Sequence, residues 1–219
     1  MKDGVEELYD YGALRALASP TMLIVRPSEP TVVLGGSQSL NVIGEEQRSD
    51  FALRRRRGGG GLVLLQPDDV WIDWWIPATD GRWSSDVHVT SRRIGEWWRS
   101  VLALRIDREV MVHEGSLAGS AAWRVACFAG RGPGEIFVDG RKVVGLSQWR
   151  VREGAFVSTV LHADSSSPLL DILYDVPDGL GDALDHHVLA SLGLSGDDVT
   201  TALIEESQPV DVRQLFLMA

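Results

Sequence analysis

The 219-residue sequence contains two lysines, Lys2 and Lys142, and arginine at every other position with a permanent positive charge. Lys142 opens the run KVVGLSQW (142–149), a strand in which it shares a face with Val144 and Leu146 while Gly145 leaves room for a ligand. An ammonium facing an apolar pocket can hold a carboxylate, a phosphate or the oxygen of an acyl carbonyl. The plain alternative is a hairpin-end lysine pointing into water. A second candidate is RRRRGGGGLVLL (54–65), where consecutive glycines lie between two strands. Glycine lets a ligand approach the main chain, and successive N–H groups can form an anion nest beside bidentate arginine donors. A solvated basic turn is the alternative, and no Gly-Lys-Ser/Thr follows to make a nucleotide-binding Walker loop. The third candidate is Cys127 in VACFAG, either an inert core residue or a nucleophile able to form a thioester. His88, His113, His162, His186 and His187 lack metal-ligand spacing, so no metal is expected.

These groups need elements to position them. Leu8, Tyr11, Leu14 and Leu17 predict a helix over residues 4–18, ended by Ser19-Pro20. MLIVR (22–26), TVVLG (31–35), FALR (51–54), LVLLQ (62–66) and VWIDWWIP (70–77) predict strands, the last two joined at Pro67-Asp68-Asp69. Residues 86–104 carry one apolar stripe through Val87, Ile94, Trp97, Trp98, Val101 and Leu102, with Ser84 or Ser85 as N-cap. EIFV (135–138), Asp139-Gly140 and the Lys142 strand predict a β-hairpin on a type I′ turn, and AFVSTVLH (155–162) adds a third antiparallel strand. The tail from Leu169 reads as two or three short helices. The tryptophans are expected in the core and on sheet faces, with a cluster lining an acyl pocket as the alternative.

Composition sets the class. With 44% hydrophobic and 24% charged residues the chain is globular rather than disordered, and a single cysteine excludes a disulfide scaffold. A net charge of −10 argues against nonspecific nucleic-acid binding, which relies on neutralising phosphates. Neither a leader-like apolar block nor a membrane-length run is present, so a cytoplasmic protein, neither exported nor embedded, is expected. One α+β domain over 1–219 is predicted, a mixed and largely antiparallel sheet flanked by helices.

Two ordered motifs give the chain a family likeness. Arg55-Arg56-Arg57-Gly58-Gly59-Gly60-Gly61-Leu62-Val63 resembles an Arg-Arg-x-x-Gly-Gly-Gly-x-Val segment, and Gly140-Arg141-Lys142-Val143-Val144-Gly145-Leu146-Ser147-Gln148 resembles Gly-Arg-Lys-x-x-Gly-x-x-Gln. Their order and separation are similar to those of the lipoate-protein ligase A and octanoyltransferase family, which shares its catalytic fold with the class II biotin protein ligases. The likeness extends loosely from Leu23 to Leu161.

That resemblance implies transfer of lipoate, or a related medium-chain acyl group, to a lysine of a lipoyl carrier domain or glycine-cleavage carrier protein. It implies that Lys142 holds the activated carbonyl and phosphate, that Gly59, Gly60 and Gly61 wrap the acyl chain, and that Arg55 and Arg56 charge the wall. Val63, Gly145, Ser147 and Gln148 complete the implied binding set. Ala126-Cys127-Phe128, fifteen residues before Lys142, is similar to the cysteine segment of some octanoyltransferases.

Three readings follow. The first is a ligase that makes an acyl-adenylate from ATP with Mg2+. The second is an octanoyltransferase taking its acyl group from acyl carrier protein through a Cys127 thioester. The third is a non-catalytic binding homologue. Leu64 and Leu65, and Val157 and Ser158, stand where the family often has histidines, which predicts a less polar pocket. The residues after Asp164 are expected to form no separate accessory domain. Docking of an acidic carrier is expected to rely on the local arginine run, Arg54 and Arg57 included.

Overall fold

A run in which almost every residue is apolar must be covered on both faces, and Val70–Pro77 is such a run at the centre of the fold. In the computed structural model, which describes residues 4–119, 124–207 and 210–217, the chain begins β1 (Glu6–Glu7), α1 (Tyr11–Arg15), β2 (Thr21–Pro27), β3 (Thr31–Leu34), β4 (Ala52–Arg55) and β5 (Val63–Leu65). β6 (Val70–Pro77), α2 (Val87–Ala103), β7 (Val110–Val112), β8 (Ile136–Val138), β9 (Arg141–Val151) and β10 (Gly154–Leu161) follow. The tail holds α3 (Leu180–Ala183), α4 (Leu189–Leu192), α5 (Gly196–Glu206) and β11 (Asp211–Leu217).

The strands divide between two sheets: β1-β4-β3-β5, and the larger β11-β2-β6-β10-β9-β8-β7. The larger sheet is antiparallel except where β11 lies parallel to β2. Alternation along β6 explains the layering. Trp71 and Trp75 join Val33, Leu64 and Phe156 in the core shared with the small sheet, while Ile72, Trp74 and Ile76 pack with Ile94, Trp98 and Val101 of α2 and Leu203 of α5. The mixed, largely antiparallel sheet flanked by helices is therefore present, and no described helix is long and apolar enough to cross a membrane.

Several local expectations need correction. The predicted helix over 4–18 shrinks to α1 because Glu6 and Glu7 pair with β4, the Leu8 amide donates to the Arg55 carbonyl, and the Asp10 side chain caps at Ala13. The α2 cap is Asp86, whose carboxylate accepts from the His88 amide at 2.8 Å, rather than Ser84 or Ser85. Around Leu169 the chain makes a 3-10 turn (Ser167–Asp171), and β7 and β11 are strands that the sequence reading did not anticipate. The Asp139-Gly140 hairpin forms with φ of 49° and 77°, as a type I′ turn requires.

Candidate active site

The four glycines Gly58–Gly61 connect β4 to β5, and of the arginines before them Arg56 fastens the loop. Arg56 is 1% exposed; its Nη2 donates to the carbonyls of Gly59 and Gly61, both at 2.8 Å, and its Nη1 to that of Val33 at 3.4 Å. Arg55 donates from Nη1 to the Gly35 and Gln38 carbonyls at 3.0 and 2.7 Å. Arg57 pairs with Glu7 at 2.8 Å over the rings of Tyr11 and Trp149, and Arg54 with Glu6 at 3.4 Å. Two arginines of the expected docking run, Arg54 and Arg57, are thus met by carboxylates of β1.

The loop is stitched to the Cys127 segment by main-chain pairing. The Leu62 amide donates to the Val125 carbonyl at 2.6 Å and the Cys127 amide to the Leu62 carbonyl at 2.9 Å. A Cβ on Gly61 would lie 2.5 Å from the Ala126 nitrogen, so that glycine is required by close approach. Gly60, at φ +89°, sits beside Cys127; a Cβ on it would lie 3.4 Å from the cysteine Sγ. Cys127–Ala129 then forms a 3-10 turn.

Beneath that turn lies Lys142, 3% exposed. Its Nζ donates to Glu135 Oε2 at 2.8 Å and to the Cys127 carbonyl at 3.0 Å, and stands 5.3 Å from the Phe128 ring centroid. Glu135 is equally buried; Oε2 also accepts from the Gly132 amide at 2.7 Å and Oε1 from the Leu146 amide at 3.2 Å. The expected shared face of Lys142, Val144 and Leu146 is overturned by a register irregularity between Ile136 and Phe137. Val144 and Leu146 pack in the α2 core, whereas Lys142 and Gly145 both meet Phe128, whose ring fills the space that a Cβ at Gly145 would need. Behind Phe128 lie His162 and His186, with centroids 4.4 and 4.8 Å from its ring. His162 Nδ1 is hydrogen-bonded to Asp69 at 2.8 Å. Burial first, then the charges of His162 and Lys142, push His186 down to about 4, so it is neutral at neutral pH.

A cavity of about 320 Å3 opens over these groups. Gly59, Gly60, Cys127, Ser147 and Gln148 line it, with Glu135. Lys142 lies just behind the floor, touching two lining residues, and Gly145 lies under Phe128. Gly61 is pressed against the Cys127 segment, and Val63, Arg55 and Arg56 are buried among the strands of the small sheet. Leu64, Leu65 and Val157 are core residues as well, and none of the substituted positions borders this cavity. The described tryptophans pack in or against the cores and do not line it.

Residues missed in the sequence include His88 and Ser91 on the first turns of α2, Arg131 at the rim, and Glu135. Gly35 was legible as a loop glycine after β3; a Cβ there would lie 2.0 Å from the Gly60 carbonyl oxygen. Glu135 had a signal too. With Phe137 opposite Lys142 in the hairpin, the residue two before Phe137 falls on the lysine's face. Among the described residues no cluster of histidine, cysteine and carboxylate side chains could hold a metal ion.

Residues 9–184 match the family model of the lipoyl protein ligase A/B catalytic domain. No curated protein sequence matches the chain. Among solved structures, a T. acidophilum protein described as a candidate lipoate protein ligase, with bound lipoic acid, is 18% identical, with TM-score 0.69, over 95% of this chain and 82% of its own. A lipoate-protein ligase A bound with ATP is 18% identical, with TM-score 0.68, over 90% and 76%. The bipartite Thermoplasma acidophilum lipoate protein ligase, described with its E2 lipoyl domain, is 16% identical, with TM-score 0.68, over 95% and 80%. At these identities the likeness is one of fold.

Proposed function

The chain belongs to the lipoyl protein ligase A/B catalytic-domain family, and from that membership we propose that it joins lipoate, or a related medium-chain acyl group, to the amine of a lysine on a lipoyl carrier domain. The observation that carries the reading is the meeting of Gly59, Gly60, Cys127 and the buried Lys142–Glu135 pair around one cavity. In the transfer step the carrier amine nitrogen bonds to the acyl carbonyl carbon, the bond from that carbon to its activating group breaks, and the amine gives up a proton. Negative charge gathers on the carbonyl oxygen meanwhile, and the Lys142 ammonium just behind the floor is the group suited to stabilise it. The acceptor is assigned from the T. acidophilum ligase described with its lipoyl domain.

The acyl group reaches the cavity by one of two routes. In the first it arrives as an acyl-adenylate made from ATP, with magnesium accompanying the phosphates; the ATP-bound ligase of the same fold supports this. In the second it rests as a thioester on Cys127, released from acyl carrier protein. Two observations favour the second route. Cys127 lines the cavity beside Gly60, and Arg55 and Arg56, held by backbone carbonyls, do not line it.

Intact mass spectrometry of an apo lipoyl domain tests both. One arm supplies lipoate, ATP and magnesium; the other supplies octanoyl carrier protein. A mass gain in either arm is expected, slowed about 10²–10³-fold by Lys142→Ala. Cys127→Ser is expected to abolish the carrier-protein arm and to spare the ATP arm. No gain in either arm overturns the reading, and ligand binding without turnover would point to a non-catalytic homologue.

A further inference from the structure

We infer that Glu135 is a positioning residue of this site: it holds the Lys142 ammonium in one direction against the cavity floor and ties that floor to the rim. The kinetic side of this inference rests on the acyl-transfer reading, and its geometric side stands independently. Glu135 and Lys142 are each 3% exposed and 2.8 Å apart. A buried ammonium without its carboxylate is strongly disfavoured, so each requires the other. The carboxylate does more than neutralise. Its two oxygens accept from three donors on two segments: the Gly132 amide before β8, and the Lys142 ammonium and Leu146 amide of β9. With its lone pairs so engaged it suits an anchor and not a proton acceptor.

The lysine it holds also donates to the Cys127 carbonyl. One carboxylate therefore fixes the relation between the cavity rim, the β9 wall and the turn that carries the cysteine. Gly132, Glu135, Leu146 and Cys127 all border the cavity, so loosening this anchor moves the wall against which an acyl group would lie. Misplacement by about an ångström can cost roughly a hundredfold in rate.

Glu135→Gln keeps the size and one acceptor oxygen but turns an amide donor toward donors already present. In steady-state transfer it is expected to lower kcat about 10–100-fold with little change in KM, and to add nothing once Lys142 is already Gln. Glu135→Asp, which keeps the charge but shortens the reach, is expected to fall between Glu135→Gln and the unaltered protein. A purely structural role predicts instead that the Glu135→Gln and Lys142→Gln losses multiply. That outcome, or unchanged kcat in Glu135→Gln, overturns the inference.

A second readout is independent of turnover. With only two lysines in the sequence, lysine-selective 15N labelling gives two side-chain signals. The Lys142 ammonium protons are expected to exchange slowly with water in the unaltered protein and rapidly in Glu135→Gln or Glu135→Asp. Equal exchange in all three overturns the inference. If the unaltered protein shows no transfer, the acyl-transfer reading fails while the exchange measurement still decides the role of Glu135.

Discussion

Arg56 shows how a residue can belong to a site without touching its ligand. A guanidinium inside a protein needs acceptors for its fork of donors, and here the carbonyls of Gly59, Gly61 and Val33 supply them. Arg56→Met keeps the length and removes the charge together with the three hydrogen bonds to those carbonyls. The expected loss is about 2–4 kcal/mol of stability by urea denaturation; an unchanged midpoint would show that the loop holds itself. Lys142 was legible in the sequence because it is one of two lysines, although its hairpin-end setting equally suited a side chain facing water. The arginines were legible as important but not in role, because nothing in a run of four tells which guanidinium turns inward. Glu135 is one of 31 acidic residues, and only the hairpin register distinguishes it.

At the scale of elements, the glycine tract is a set of separate requirements. Gly61 must be glycine because the Val125–Ala126 backbone passes 2.5 Å from its missing Cβ, whereas a Cβ on Gly59 meets nothing within 4 Å. Gly61→Ala is therefore expected to destabilise by about 3 kcal/mol through forced separation of the two segments, and Gly59→Ala by less than about 0.5 kcal/mol. Comparing their thermal and urea unfolding checks the claim, and equal losses would contradict it. The strands from Thr21 to Pro77 were legible because their apolar runs are dense and bounded by turn residues, and the hairpin because Asp139-Gly140 fixes its own geometry. The helix expected at 4–18 was realised only as α1, since periodicity cannot foresee that Glu6–Glu7 pairs with a strand some fifty residues on. β7 and β11 escaped notice for a related reason: short or charged edge segments become strands only when a neighbour is there to pair with them.

At the scale of the whole molecule, the buried groups Asp73 and His186 act on stability in opposite directions. Asp73, in the core between the sheets, is pushed up to about 7 by burial, against hydrogen bonds from Tyr9 and Trp71 at 2.5 and 2.6 Å. The folded protein then binds a proton that the unfolded chain has released, so this group's contribution to stability falls as pH rises from about 4 to about 7. His186, held down to about 4, does the reverse: the unfolded chain protonates first, and stability is lost as pH falls from 6.5 toward 4. Asp73→Asn removes the first slope, so its unfolding free energy is expected to climb with pH between about 4 and 6.5 more steeply than that of the unaltered protein. Urea titrations at three pH values read this directly, and parallel curves would refute it.

The parallel pairing of β11 with β2, from Asp211 against Thr21 to Leu217 against Pro27, brings together opposite ends of the described chain. A ribosome making this polypeptide releases β2 long before its partner exists. Until then the outer backbone groups of β2 form an open template on which a second nascent molecule can lay its own strand. Closure of that edge waits until some 190 further residues have been translated, and contacts so remote in sequence form slowly. Misassembly during synthesis is the hazard this topology creates, and it is greatest in the interval before residue 211 emerges.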